Sequence, residues 1–272
     1  LIREIRPDLV VGDWRLTLNV SAHLEDVTML HVGNAHWSPA HPHRMPPPRA
    51  GIWRRMPLPV REVCFSLVRP LALRLFFGAL DQLRRRHGLA PLKDMRRLGT
   101  AGDLCAYLDI PELLPLSRIP RNHFYLGPLA WKPKGLPGVE LDGLEPGRPL
   151  VYVSMGSTGD ESLLPTVVKA LTATGFNAVL SGVEPGRMEA WGLKDSSLRR
   201  RLKAAPLIDP DGVLERAALT ICHGGSGTVY QSLTRGVPLL CLPDNPDQGL
   251  ISQAVQASGA GLMLPPDRAS LG

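Results

Sequence analysis

Cysteine and aromatic residues are scarce in this chain, and their scarcity excludes several kinds of site. The four cysteines form no CxxC pair, so we expect neither a structural zinc site nor a disulfide framework. We therefore expect a cytoplasmic location. Aromatic residues make up 5% of the sequence and are not interleaved with basic residues. Because proteins that bind single strands stack bases on such aromatics, we predict no nucleic-acid partner.

Long hydrophobic runs and an initiator methionine are also missing. No uninterrupted apolar run reaches about 18 residues, so we expect no transmembrane helix. The opening residues are charged and do not resemble a signal peptide. Leu1, Ile2 and Ile5 share one helical face, and residues 267–272 resemble the start of another helix. We therefore expect a fragment cut at both ends.

The formal net charge of +6 is unevenly divided. Residues 1–148 hold 21 Lys and Arg against 14 Asp and Glu, whereas residues 149–272 hold 10 against 11. A basic surface can attract an anionic acceptor or a membrane face, although a solvated helix end is the simpler interpretation. The candidates for peripheral membrane contact in this first region are Arg69, Arg74, Arg84, Arg85, Arg86, Arg96 and Arg97.

Strand-like and helix-like patterns alternate in the first half of the chain. Strands are predicted at 9–11, 27–32 and 104–110 and from Phe124, and helices at 17–24 and 60–87, with a break near Pro70. The Pro-rich stretch 36–59 predicts an irregular loop. Such βαβ alternation is typical of an α/β fold with a parallel sheet. A Pro- and Gly-rich stretch at 131–148 predicts a linker between domains at 1–130 and 149–272.

The same alternation restarts after the predicted linker. Strands are predicted at 150–155, 177–180, 207–208, 219–222 and 239–242, and helices at 163–174, 213–217, 229–235 and 250–257. Ligands of open parallel sheets bind at the carboxyl ends of the strands. Three loops should lie there, at 156–158, 223–228 and 243–248.

The central loop, 223–228, is the strongest functional signal. Its three glycines let backbone N–H groups approach an anion, and the helix that follows adds a partial positive charge. His223 can donate a further hydrogen bond, so the loop suits a diphosphate. The alternative is that the glycines only permit a tight turn between strand and helix. No Lys follows as in a Walker loop, and the dinucleotide GxGxxG pattern is absent.

The run 221–233, followed by Gly236-Val237-Pro238 and Asp247-Gln248, resembles the nucleotide-sugar signature of the UDP-glycosyltransferase superfamily. It is most similar to the bacterial macrolide and antibiotic glycosyltransferase branch. The resemblance implies a GT-B fold with two Rossmann-like lobes, in which the first lobe lacks its opening strands and the second stops before its final helix.

The resemblance also implies roles for individual residues. His223 and the amides of residues 225–228 would hold the diphosphate of the donor, with Ser157 on its other side. Asp247 and Gln248 would bind sugar hydroxyls. The donor-binding residues implied in this way are Ser157, Ile208, His223, Gly224, Gly225, Ser226, Gly227, Thr228, Gln231, Asp247 and Gln248.

Two positions depart from the family pattern. Gln231 stands where the family usually has a Glu that contacts the ribose. Residues 207–210, which include Ile208, stand where an aromatic residue and a Gln often lie near the nucleobase. The choice between uridine and thymidine therefore stays open.

The implied reaction is inverting transfer of a hexose from a nucleoside diphosphate sugar, as co-substrate, to a small-molecule or lipidic acceptor hydroxyl. Neither a metal nor another cofactor is expected. Asp13 follows the first strand, where plant relatives have an Asp that orients a catalytic His, and that His would precede this fragment. The alternative is that Asp13 only caps the end of the strand. The alternatives are a nucleotide-sugar epimerase of the same fold and a non-catalytic sugar-nucleotide-binding protein.

Three histidines, His36, His41 and His43, cluster in the Pro-rich stretch and raise the question of a metal site. The stretch has no carboxylate or cysteine to complete a ligand set. We therefore predict that no metal binds there.

Overall fold

The computed structural model describes residues 1–42, 45–47, 51–92, 94–129, 134–191 and 200–265. It divides the chain into two compact units, unit 1 at Leu1–Pro128 and unit 2 at Leu129–Gly272. The stretch predicted as a linker falls within unit 2, where Leu141 packs against Leu150 and the Asp209 N–H donates to the Pro137 carbonyl. The boundaries 1–130, 131–148 and 149–272 stay a prediction.

Unit 1 is built on a parallel sheet in the order β1-β2-β3-β4. The strands are β1 (Leu9–Gly12), β2 (Thr28–Gly33), β3 (Leu104–Tyr107) and β4 (His123–Tyr125). The α-helices are α1 (Ile2–Ile5), α2 (Leu18–Leu24), α3 (Leu58–Arg86) and α4 (Met95–Leu98), with 3₁₀ turns at Ala35–Trp37 and Gly51–Arg55. A small core forms where α3 meets the following loop, around Phe77, Leu92 and Leu98.

Helix α3 confirms the predicted helix, but the predicted break near Pro70 is wrong because the helix continues through it. Proline cannot donate to the carbonyl four residues earlier. Both Pro70 and Ser66 are exposed, so water can take the place of the missing donor. By length and composition, α3 is the one helix in the described ranges that could cross a membrane. Arg69 and Arg74 interrupt its apolar run, so the sequence of this helix contains no unbroken apolar stretch long enough to predict a transmembrane segment.

Unit 2 has a larger parallel sheet in the order β10-β9-β8-β5-β6-β7. Its strands are β5 (Leu150–Ser154), β6 (Asn177–Ser181), β7 (Leu202–Ala205), β8 (Ala217–Cys222), β9 (Leu239–Cys241) and β10 (Gly261–Met263). Its α-helices are α5 (Leu164–Thr174), α6 (Pro185–Ala190), α7 (Pro210–Leu214), α8 (Ser226–Thr234) and α9 (Pro246–Ala257), with a 3₁₀ turn at Glu161–Leu163.

Two predicted elements of unit 2 lie earlier than the sequence suggested. The strand predicted at 207–208 is wrong, since β7 ends at Ala205. The helix predicted at 213–217 begins instead at Pro210, because the Asp209 side chain accepts a hydrogen bond from the Asp211 N–H and caps it. Helix α6 and strand β10 were not predicted.

The central strand β5 is buried along its whole length. Val151 and Val153 belong to one apolar cluster, and Leu150 and Tyr152 belong to a second. Because successive side chains of a strand point to opposite faces, both faces of this sheet are covered. The predicted α/β class with parallel sheets is therefore confirmed, and the loops after the central strands start from fixed positions.

Candidate functional site

Three loops meet at the carboxyl edge of the unit 2 sheet. Strand β8 lies between β5 and β9, with Cys222 in register with Ser154 on one side and Cys241 on the other. The loops that follow these strands are therefore neighbours. They include the segments 155–160, 223–225 and 242–245.

Glycine backbone encloses the His223 side chain, which is 6% exposed. A Cβ atom added to Gly156 would lie 2.5 Å from His223 Cε1, and one on Gly159 would lie 2.8 Å from His223 Cβ. A Cβ on Gly225 would collide with His223 Nε2. A side chain at Gly156 or Gly225 would displace the imidazole, and one at Gly159 would collide with the Met155 carbonyl oxygen and crowd His223 Cβ. These glycines therefore leave the space that the histidine occupies.

The enclosed His223 has spare hydrogen-bonding capacity. Burial lowers its pKa, and the Ser154 backbone and the Asp247 carboxylate act in the opposite direction without reversing the shift. Its Nδ1 atom is buried with no hydrogen-bond partner among the described residues. Buried polar atoms are rarely left unsatisfied in folded proteins. A neutral imidazole of this kind is suited to bind a ligand atom.

Gly224 follows His223 in the loop and packs closely against helix α9. Its φ of +83° is a conformation that favours glycine, and an added Cβ would meet Ser252 Oγ and lie 3.0 Å from the Gln248 carbonyl oxygen. The next residue, Gly225, is the N-cap of α8. The amides of the first turn of α8 have no partner within the helix, so they face the loop edge as anion-binding donors.

Gln248, on α9, connects two of the three loops. Its Oε1 atom accepts from the Asp244 and Asn245 N–H groups at 2.9 and 3.4 Å. Its Nε2 atom donates to the Thr158 carbonyl and hydroxyl oxygens, both at 3.2 Å. An amide side chain offers two donors and two acceptor lone pairs, and all are used here. A contact between Gln248 and a sugar hydroxyl stays a prediction, and it would require one of these hydrogen bonds to break.

The remaining residues that are predicted to bind the nucleotide-sugar donor differ in exposure. Ser157 is exposed in the loop after β5, and Asp247 is half-buried in the first turn of α9. Gln231 is half-buried on α8, one turn after Gly227. Ile208 is buried in an apolar cluster, so its side chain faces the core and a contact with a base would come from its main chain. The roles assigned to these residues stay predictions.

In unit 1, the structure places a buried histidine within the electrostatic reach of Asp13. His31, on β2, has its pKa lowered by burial, and the charge of Asp13 partly opposes this shift. Its Nε2 atom is buried without a hydrogen-bond partner in the described ranges. Asp13 itself is exposed after β1. His31 was not among the predicted site residues, although its inward position in the alternating β2 pattern was a signal.

The described part of the Pro-rich stretch contains two of its three clustered histidines. His36 and His41 are both buried, and His43 lies outside the described residues. Within the described ranges, no group of three or more His, Cys, Asp or Glu side chains could hold a metal ion.

Comparisons with known proteins place these loops in a family. Residues 198–271 match the erythromycin biosynthesis protein CIII-like C-terminal domain. Over 269 residues the chain is 36% identical to a PGL/p-HBAD biosynthesis glycosyltransferase of Mycobacterium tuberculosis, covering 98% of this chain. The chain belongs to the bacterial macrolide-type branch of the UDP-glycosyltransferases. The resemblance inferred from the signature run is confirmed.

A second curated relative and a solved structure extend the comparison. A PGL/p-HBAD biosynthesis rhamnosyltransferase of Mycobacterium bovis is 37% identical over 271 residues, 98% of this chain. The spinosyn rhamnosyltransferase SpnG, complexed with thymidine diphosphate, superposes with a TM-score of 0.63 at 23% identity, over 98% of this chain and 62% of SpnG. The chain has the GT-B fold. It spans 61% and 58% of the lengths of the two mycobacterial relatives.

Proposed function

We propose that the protein transfers a hexose from a nucleoside diphosphate sugar to a hydroxyl group of a small-molecule or lipidic acceptor. The observation that carries the proposal is His223, which is enclosed by glycine backbone and has an unpartnered buried nitrogen, beside the N-terminus of α8. This arrangement supports binding of a diphosphate. The names of the mycobacterial relatives favour transfer over the epimerase and non-catalytic alternatives.

In the proposed reaction, the acceptor oxygen attacks the anomeric carbon and inverts it while the bond to the diphosphate breaks. Negative charge grows on the departing diphosphate. The amides of the first turn of α8 and the neutral His223 stabilise that charge, since fixed dipoles need no reorganisation during the reaction. These groups need no metal ion or other cofactor for this task. Asp13 would orient the group that removes the acceptor proton.

The proposed donor carries uridine or thymidine diphosphate. The relative SpnG has been solved with thymidine diphosphate, which supports a thymidine donor. Ile208 presents no aromatic surface for stacking, and Gln231 cannot make the charge-assisted ribose bond of a Glu.

The proposal includes a cytoplasmic location and peripheral membrane contact through unit 1.

Calorimetric titration of UDP, dTDP and GDP into the folded chain tests the proposal. We expect one of the first two to bind, and His223→Ala to weaken its binding by about tenfold or more, because hydrogen bonds to charged groups contribute about 1.5–3 kcal/mol. His23→Ala, which removes an exposed histidine of unit 1, should leave the affinity unchanged. Absence of binding to a folded sample, or an affinity indifferent to His223, would disprove the proposed donor site.

A further inference from the structure

The outer face of α3 carries an unusual row of exposed apolar side chains. Leu67, Leu71 and Leu75 are 74%, 60% and 75% exposed. They are spaced four residues apart, so they lie along one side of the helix. Val68 is also exposed and adjoins this row. Single exposed leucines are common, but a continuous row of this kind marks a contact surface.

The C-terminal part of α3 is fixed to unit 1. Phe77, Asp81 and Arg84 are buried. The Asp81 carboxylate accepts from the Leu92 N–H at 2.6 Å, and Arg84 Nε donates to the Ala90 carbonyl at 2.7 Å. These contacts prevent the helix from turning its leucine row inward. They also hold it to the rest of unit 1, so it is suited to lie on a membrane rather than to cross one.

Positive charge flanks the leucine row. Helix α3 contains six arginines and two acidic residues, Glu62 and Asp81. Arg74 is exposed three residues after Leu71, beside the row. Arg85 and Arg86 are exposed at the end of the helix, and Arg86 follows Leu75 by about three turns, on the same side. An apolar stripe bordered by arginines is complementary to an anionic lipid surface.

We propose that the outer face of α3 docks onto an anionic membrane surface. The leucine row enters the boundary between headgroups and acyl chains, and Arg85 and Arg86 contact lipid phosphates. This identifies the surface that makes the peripheral contact included in the proposed function. It places the protein where a lipidic acceptor would be found, and it does not depend on how the donor binds.

Cosedimentation with lipid vesicles tests the docking face. We expect binding to phosphatidylcholine vesicles that contain phosphatidylglycerol, weaker binding to phosphatidylcholine alone, and weakening by salt. Leu71→Gln with Leu75→Gln should reduce the partition coefficient by about tenfold or more, since two inserted apolar side chains are lost. The matched control is Leu16→Gln with Leu24→Gln, two exposed leucines of unit 1 that lie outside α3 and should not matter.

A second pair tests the charges separately. Arg85→Gln with Arg86→Gln should weaken binding to anionic vesicles by about fivefold or more and reduce its dependence on salt. Circular dichroism and light scattering establish that each variant is folded and monomeric.

Three results would overturn the docking face. The first is that the folded chain does not bind anionic vesicles. The second is that the Leu71→Gln, Leu75→Gln variant binds vesicles as tightly as the unchanged chain. The third is that the unchanged chain forms a dimer, that the dimer dissociates in this variant, and that neither protein binds vesicles. The last result would mean that a second copy covers the row. The nucleotide titrations are run on the same variants, so intact donor binding with lost vesicle binding would separate this inference from the proposed function.

Discussion

The two units use the same pattern of strands and helices in different ways. In unit 2, every residue of β5 is buried and both sheet faces are covered. In unit 1, Leu9 and Val11 of β1 are exposed and α3 leaves a row of leucines uncovered. The closed packing of unit 2 holds the glycine loop and His223 in position. The open surfaces of unit 1 are suited to contacts with other molecules, so changes in the two units should affect different properties.

The largest effect is expected from Gly224→Ala in unit 2. Its positive φ and the collision of the added Cβ with Ser252 should lower the free energy of unfolding by about 2–4 kcal/mol. Urea denaturation followed by circular dichroism measures the loss. Gly227→Ala is the matched control, because its added Cβ meets nothing within 4 Å and its helical position favours alanine. Equal destabilisation by both substitutions would show that the close packing at Gly224 is unimportant.

Gln248→Ala should have the next largest effect. It removes a buried amide that connects two loops through four hydrogen bonds, and we expect a loss of about 2–3 kcal/mol. Gln256→Ala, on the same helix, removes one exposed bond to the Met263 N–H and should cost about 0.5 kcal/mol. The comparison is made by thermal and urea unfolding. If the two variants lose similar stability, the Gln248 amide is not a structural link between the loops.

The burial of His223 predicts that the stability of the fold depends on pH. Burial lowers the pKa of His223 in the folded state, so the unfolded chain takes up a proton at higher pH than the folded chain. Stability from this source is complete above the unfolded pKa of about 6.5 and decreases as the pH falls below it. His223→Gln should reduce the stability lost between about pH 7 and about pH 5, whereas the exposed His23→Gln should not. An unchanged pH slope in His223→Gln would mean that His223 titrates normally.

The smallest effect on stability is expected from Leu71→Gln with Leu75→Gln in unit 1. Both side chains are exposed, so the free energy of unfolding should change by about 0.5 kcal/mol or less. The same variant is expected to lose vesicle binding, which would separate contact with a membrane from folding. A loss of about 2 kcal/mol or more would instead show that the row is covered within the chain.

Much of unit 2 could be predicted from the sequence, because the patterns that indicate its strands and helices are local. The apolar runs of β5, β8 and β9 and the periodic pattern of α5 predict their elements directly. The glycine loop between β8 and α8 predicted the candidate site, and the signature run that contains it predicted the family. Where the local pattern is weak, prediction failed. The segment Leu202–Ala205 contains one large apolar residue, and it becomes a strand because β6 pairs with it.

Tertiary structure alone decided how the candidate site residues are used. Gln248 is bonded to Thr158, which is 90 residues away in the chain, so no local pattern could show that its amide is occupied. The enclosure of His223 depends on Gly156 and Gly159 from a different loop. In the same way, the apolar residues of α3 are visible in the sequence, but their exposure is set by which side of the helix packs on unit 1. Residue types and spacing determine which elements form, and long-range packing determines which of their atoms remain free to bind.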